Sequence, residues 1–193
     1  MKFDELVEKL LESTSPLRLL YHTTYLIDIE QLVKTDEFKC GENDLSYNFN
    51  SKEPEIFKKY PYFMSVARTH NNAFLRSISR NNFSNVTLVL DAVKLSDHGY
   101  PIKPINFYKR SDKQESEDRV LSKTKTIPNF NEYIKEFHVF VTPADLIDIN
   151  RSKQNQLDFE EWLNTMRRTG KPCYRYITLK DFLSLNRTKR EPL

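Results

Sequence analysis

Residues 17–35 read LRLLYHTTYLIDIEQLVKT, a short apolar run with a polar end and then a longer stretch of mixed residues. The run at 17–24 predicts a buried strand, because a short apolar segment bounded by polar residues is typical of one. From Tyr25 onward the apolar residues recur at helical spacing, which predicts a helix at 25–35 with one buried face. His22 therefore lies near the end of a core strand, just before a helix begins.

Outward from this unit, strands dominate the middle of the chain and helices cluster near its ends. Further strands are predicted at 62–68, 86–93, 118–123, 136–142 and 174–177, and further helices at 2–13, 53–59, 71–78, 143–149, 157–168 and 179–185. The polar segment 103–117 is expected to be a loop, of the kind that often forms a functional lid, and 95–99 a turn. Because strands and helices do not alternate regularly, the pattern predicts an α+β fold with a mainly antiparallel sheet, in one domain over residues 1–193.

The composition excludes several classes of protein. Only 3 glycines are present, so the Gly-rich phosphate loops of Rossmann and P-loop proteins are excluded. Cys40 and Cys173 lack metal-ligand spacing, and a reducing compartment is the simpler expectation. The N-terminus is unlike a signal peptide and no apolar stretch is long enough to span a membrane, so we expect a cytoplasmic protein without a membrane partner.

Two of the strands end in residues that suit ligand binding. His22 could direct a ring nitrogen at a ligand beside the free N–H groups of the following helix, although backbone contacts within the core would equally satisfy it. In 62–68 (YFMSVAR), alternation puts Tyr62 and Arg68 on one face and Ser65 on the other. An aromatic ring can stack on a nicotinamide and an arginine can hold a diphosphate, but an ordinary core strand ending in a surface arginine fits as well.

An acidic pair follows much later, in the segment 114–119 (QESEDR). In an extended chain Glu115 and Glu117 share one face, with Arg119 beyond them. Two close carboxylates are costly unless a cation or ligand offsets them, whereas a solvated acidic turn is the plainer interpretation.

The order of these features resembles the ADP-ribosyltransferase superfamily, which carries His or Arg on a first core strand, Tyr or Ser on a second and Glu on a later one. Within it, the DarT-like group of DNA-modifying toxins is similar. Its Y-H-x-T opening matches 21–24, its aromatic strand leading to Arg matches 62–69, and its A-E-x-L-V segment resembles 116–120 (SEDRV). The chain also resembles uncharacterised small proteins of bacteriophages, which would place it in the host cytoplasm.

The resemblance implies a split, mainly antiparallel sheet of ADP-ribosyltransferase type flanked by helices, with a core at 17–142 and a helix–strand–helix extension at 143–193. NAD would be the substrate and DNA, RNA or protein the macromolecular acceptor. By this resemblance the NAD-binding residues are His22, Thr23, Tyr62, Ser65 and Arg68, with Glu117 and Glu115 catalytic and no metal required. Glu117 would bond the ribose 2′-OH and stabilise the cationic carbon, and Glu115 would position the acceptor.

Two alternatives remain open from the sequence. One is a non-catalytic domain of the same fold that binds a nucleotide or a partner, as a phage virion or anti-defence protein. The other is a metal-dependent nuclease in which Asp91, Glu115 and Glu117 hold Mg²⁺.

Overall fold

A computed structural model describes residues 18–43, 48–49, 53–68, 86–108, 114–141, 147, 149–176 and 191–192. The strands are β1 (Leu19–Thr24), β2 (Glu37–Lys39), β3 (Gly41–Glu42), β4 (Asn48–Phe49), β5 (Tyr62–Val66), β6 (Val86–Asp91), β7 (Ile102–Tyr108), β8 (Gln114–Ser122), β9 (Thr126–Pro128), β10 (Ile134–Phe140), β11 (Cys173–Tyr176) and β12 (Glu191–Pro192). The α-helices are α1 (Leu26–Thr35), α2 (Glu53–Lys59), α3 (Ala92–Asp97) and α4 (Lys153–Arg168).

Two five-stranded sheets organise these strands. The first has the order β1-β6-β10-β11-β12, and the second the order β3-β5-β8-β7-β4. Neighbouring strands are antiparallel except for β10 and β11, which run parallel. A small third sheet pairs β2 with β9. The prediction of a mixed fold with mainly antiparallel strands is confirmed.

The main core lies against β1, β6 and β10 and is closed by helices α1 and α4. The five residues Val86–Leu90 of β6 are all buried, which explains the continuous apolar run at this point of the sequence. A second, smaller core forms where Ile56, Phe57 and Tyr60 pack on Ile105 and Leu121 of the second sheet. Helix α2 therefore covers one face of that sheet.

Several predicted elements match the structure and three do not. The strand expected at 86–93 ends at Asp91, and the turn expected at 95–99 begins within helix α3, because the Asp91 side chain accepts from Lys94 N at 3.0 Å and caps that helix. The loop expected at 103–117 is strand in its described part, because β7 and β8 pair from Ile102↔Val120 to Tyr108↔Gln114, and residues 109–113 lie outside the described ranges. Cross-strand pairing here outweighs the polar composition.

Other predicted elements fall partly or wholly beyond the described ranges. These are the helices at 2–13, 71–78 and 179–185 and most of the helix at 143–149, of which residues 147 and 149 are helical. Of the extension at 143–193, helix α4 and strand β11 are described. None of the described helices has the length and apolar character that crossing a membrane requires.

Candidate functional site

Among the described residues, one isolated bridge joins the two five-stranded sheets, between Tyr21 of β1 and Ala67, which directly follows β5. Tyr21 and Ala67 exchange two backbone hydrogen bonds, each 2.9 Å long. Further along β1, no β-bridge to β5 is seen within the described residues. His22 is the first residue of β1 past this point.

The imidazole of His22 bonds a backbone carbonyl of β5. Its Nδ1 lies 2.8 Å from the Ser65 carbonyl oxygen, and since a carbonyl can only accept, Nδ1 carries the proton. Part of the residue stays exposed, but the ring lies among protein atoms, 5.0 Å from the ring of Phe38. Burial lowers the pKa of His22, against the opposing effect of the bond to Ser65. The ring is therefore neutral at pH 7, with Nε2 as an acceptor.

The side chain of the same serine bonds Glu117. Ser65 Oγ donates to Glu117 Oε2 at 3.2 Å, which links β5 to β8. Because both groups bond Ser65, the His22 Nδ1 and Glu117 Oε2 atoms are at most about 10 Å apart. The structure thus brings together an early histidine, a serine and a late glutamate from three strands.

Glu117 is only 3% exposed and forms an ion pair with Arg119. The pair follows from the strand period, since residues two apart share one face. Arg119 is itself 4% exposed, donates to Asn43 Oδ1 and places its guanidinium carbon 3.9 Å from the centroid of the Phe63 ring. Losing one partner of such a buried pair commonly costs about 3–5 kcal/mol, because the other charge stays buried.

Two other predicted NAD-binding residues of this region leave β5 on the opposite face from Glu117. Tyr62 packs against the main core, in register with Ser122 of β8. Arg68 pairs with Asp118 at 3.2 Å. Asp118 directly follows Glu117 on β8, so its side chain lies on the other face of the sheet. Neither residue therefore contacts the Ser65–Glu117 pair directly.

Thr23 and Glu115 are the remaining predicted site residues. Thr23 is half-buried on the face of β1 opposite His22 and lies in register with Thr87 of β6. Glu115 belongs to β8, opposite Phe107 of β7, and its side chain lies outside what the structure describes.

Asp91, the third carboxylate of the nuclease alternative, belongs to the first sheet. Its carboxylate caps α3 and pairs with Lys135 at 3.0 Å. The backbone N–H of Lys94 is the main cause of its lowered pKa, with Lys135 adding to the effect. Within the described ranges, no three His, Cys, Asp or Glu side chains lie close enough together to hold a metal ion.

Sequence reasoning missed the groups that surround Glu117. The E-x-R spacing did place Arg119 on the face of Glu117, but it did not predict an ion pair. Asn43 lies 76 positions from Arg119, and no local pattern signals their contact. Phe57 and Phe63 were visible only as apolar residues of a helix and a strand.

No model of a known protein family matches the chain, and no curated protein matches it significantly.

Proposed function

We propose that this protein is an NAD-dependent mono-ADP-ribosyltransferase that modifies a macromolecule. The observation that carries the proposal is Ser65, which binds His22 through its backbone carbonyl and Glu117 through its hydroxyl. The order of these residues along the chain and their sharing of one serine fit the His or Arg, Ser and Glu of the superfamily that the sequence resembles.

The protonation state of His22 suits a hydrogen bond to a ribose hydroxyl. With Nδ1 committed to Ser65, the unprotonated Nε2 can accept a hydrogen bond from a ribose hydroxyl. A protonated imidazole would offer a second donor instead. The lowered pKa of His22 keeps Nε2 available as an acceptor at neutral pH.

The reaction would begin with cleavage of the bond between ribose C1′ and the nicotinamide nitrogen. The electron pair of that bond neutralises the pyridinium nitrogen, and positive charge develops on the ribose. Glu117 would hydrogen-bond the 2′-OH and stabilise that charge, a preorganised electrostatic effect. A nucleophilic oxygen or nitrogen of the acceptor then bonds C1′ and loses its proton.

The roles of the remaining predicted residues depend on the orientation in which NAD binds. Arg68 would contact a phosphate, in exchange for or in addition to its bond with Asp118. Tyr62 lies on the face of its sheet opposite Glu117, and Thr23 on the face of β1 opposite His22, so in this proposal neither contacts the ribose at Glu117. Glu115 would position the acceptor.

A second candidate is a non-catalytic domain that binds a nucleotide or partner. The buried ion pair of Glu117 with Arg119 favours it, because a carboxylate whose charge is already offset stabilises a cationic ribose less strongly. The same residues would then hold a ligand without cleaving it.

Label transfer from NAD distinguishes the two candidates. The protein is incubated with NAD labelled on the adenine and with DNA, RNA or a protein mixture, and label in the macromolecular fraction is counted before and after nuclease or protease treatment. Transfer that needs Glu117 supports the transferase. Binding of NAD by calorimetry without transfer or nicotinamide release supports the second candidate.

A further inference from the structure

Arg119 joins two groups of contacts, one to strand β5 through Glu117 and one to the residues just before β5 through Asn43. Its Nε donates to Oε1 of Glu117, whose Oε2 accepts from Ser65 on β5. Its Nη1 donates to the side chain of Asn43. Asn43 in turn donates from Nδ2 to the Tyr60 carbonyl and from its backbone N–H to the Pro61 carbonyl, each at 2.9 Å, directly before β5 begins.

Two aromatic rings also contact the guanidinium of Arg119. Its carbon lies 3.9 Å from the centroid of Phe63 and 5.7 Å from that of Phe57, which belongs to helix α2. An arginine guanidinium packs on aromatic rings in this way through cation–π contact. The Glu117 carboxylate therefore meets a donor that Asn43 and two aromatic rings help to hold in place.

Stability alone does not account for such an arrangement. A buried ion pair loses much of its Coulombic gain to desolvation, and apolar residues of similar volume often stabilise a fold as well or better. The pair instead helps to fix the orientation of the carboxylate. Each oxygen of Glu117 accepts from its own donor, Arg119 for one and Ser65 for the other. A carboxylate held in this way keeps one orientation before any ligand arrives.

We propose that Arg119, anchored by Asn43, is a positioning residue that orients Glu117 toward the ribose of NAD. The inference rests on the proposed transferase activity and adds to it a residue that acts through Glu117 without touching the substrate. A consequence is that Arg119, which stands at the leucine position of the A-E-x-L-V segment that 116–120 resembles, has a role in the chemistry of this chain.

Two variants test the inference, Arg119→Lys and Asn43→Ala, and the first is also made in the Glu117→Gln background. Arg119→Lys keeps the charge but loses the planar fork. Asn43→Ala keeps both charges and removes the side-chain bonds of Asn43 to Arg119 and to the Tyr60 carbonyl. We expect the kcat of nicotinamide release to fall on the order of tenfold in Arg119→Lys and by about threefold in Asn43→Ala, with less than about a twofold change in KM for NAD. Arg168→Lys, at the exposed pair with Glu161 on α4, is the matched control and should leave kcat unchanged.

The Glu117→Gln background separates positioning from a merely structural role. If Arg119 acts through Glu117, then Arg119→Lys changes kcat and the calorimetric Kd for NAD by less than about twofold once Glu117 is gone. An equal fold-change in both backgrounds, or a variant that only lowers the melting temperature, overturns the inference while leaving the proposed function intact. If the wild-type protein binds NAD but releases no nicotinamide, Glu117 has no chemical step to be positioned for, and the inference is overturned. If it does not bind NAD, the proposed function fails, and this inference fails with it.

Discussion

The hydroxyl of Ser65 donates to the carboxylate of Glu117 across the β5–β8 pair, with the two atoms 3.2 Å apart. The bond is diagonal, because Ser65 lies in register with Arg119, two positions beyond Glu117. A diagonal contact of this kind is within reach only of side chains on the same face of the sheet. It fixes one oxygen of the glutamate on which the proposed chemistry depends.

Ser65→Ala removes this bond while keeping the backbone carbonyl that binds His22. We expect nicotinamide release to fall on the order of tenfold, because the carboxylate loses one of its two fixed donors. Steady-state kinetics with NAD measures the effect. Ser122→Ala is the matched control, since Ser122 is a buried serine of the same sheet that bonds Thr124 and not Glu117. Equal losses in both variants would contradict a specific role for Ser65.

His22 makes stability depend on pH in a defined direction. Burial lowers its pKa below the usual 6.5, so the unfolded chain takes up a proton at a pH where the folded chain does not. The contribution to stability is complete above pH 6.5 and is lost as the pH falls from there through the folded-state pKa. Urea unfolding between about pH 7.5 and 5 measures this loss.

The control for this prediction is His22→Asn, which keeps an N–H at the place of Nδ1 and does not titrate. Histidines elsewhere in the chain titrate equally in both proteins, so the difference between the two stability curves isolates His22. The wild-type protein should lose stability relative to the variant as the pH falls. Parallel curves would show that His22 is not enclosed by protein in solution.

Asp91 should contribute to folding as the cap of helix α3. Asp91→Ala removes both the bond from Lys94 N and the pair with Lys135, and we expect a loss of about 1 kcal/mol in the free energy of unfolding. Asp91→Asn retains the capping oxygen and should lose less. Denaturant unfolding measures both variants. If Asp91→Asn abolished nicotinamide release without affecting stability, Asp91 would instead belong to the chemistry.

The two cysteines should be inert in the folded protein. Both are buried, and burial raises the pKa of Cys40 and of Cys173 to about 12. The reactive thiolate is then scarce at pH 8. A chromogenic disulfide reagent should titrate no thiol within minutes under native conditions and two thiols in denaturant. Rapid reaction of either one in the native protein would contradict the packing around it.

The sequence predicted the elements that carry a strong local pattern. The apolar runs at 17–24 and 86–93 became β1 and β6, and the helical spacing at 25–35 became α1, because burial of those residues is dictated by their own period. Alternation along 62–68 also placed Ser65 correctly on the face opposite Tyr62.

Long-range pairing could not be predicted in this way. The polar residues of β7 and β8 are extended because the two strands pair with each other, and this pairing overrides the polar composition of the segment. The same holds for the contacts of Arg119 with Asn43 and of His22 with Ser65, which join residues 76 and 43 positions apart. A family pattern suggested that His22 and Glu117 act together, but only the fold supplies Ser65 as their shared partner.

Nicotinamide release from saturating NAD, compared between the wild-type protein and Glu117→Gln at equal folded concentration, tests the account most directly. Glutamine keeps an oxygen that can accept from Arg119, and circular dichroism checks the fold; Glu117→Asp provides a second variant that retains the charge. We predict release by the wild-type protein and a rate lower by about 10²–10³ in Glu117→Gln. Equal rates in the two proteins, or no release by the wild-type protein, would contradict the account.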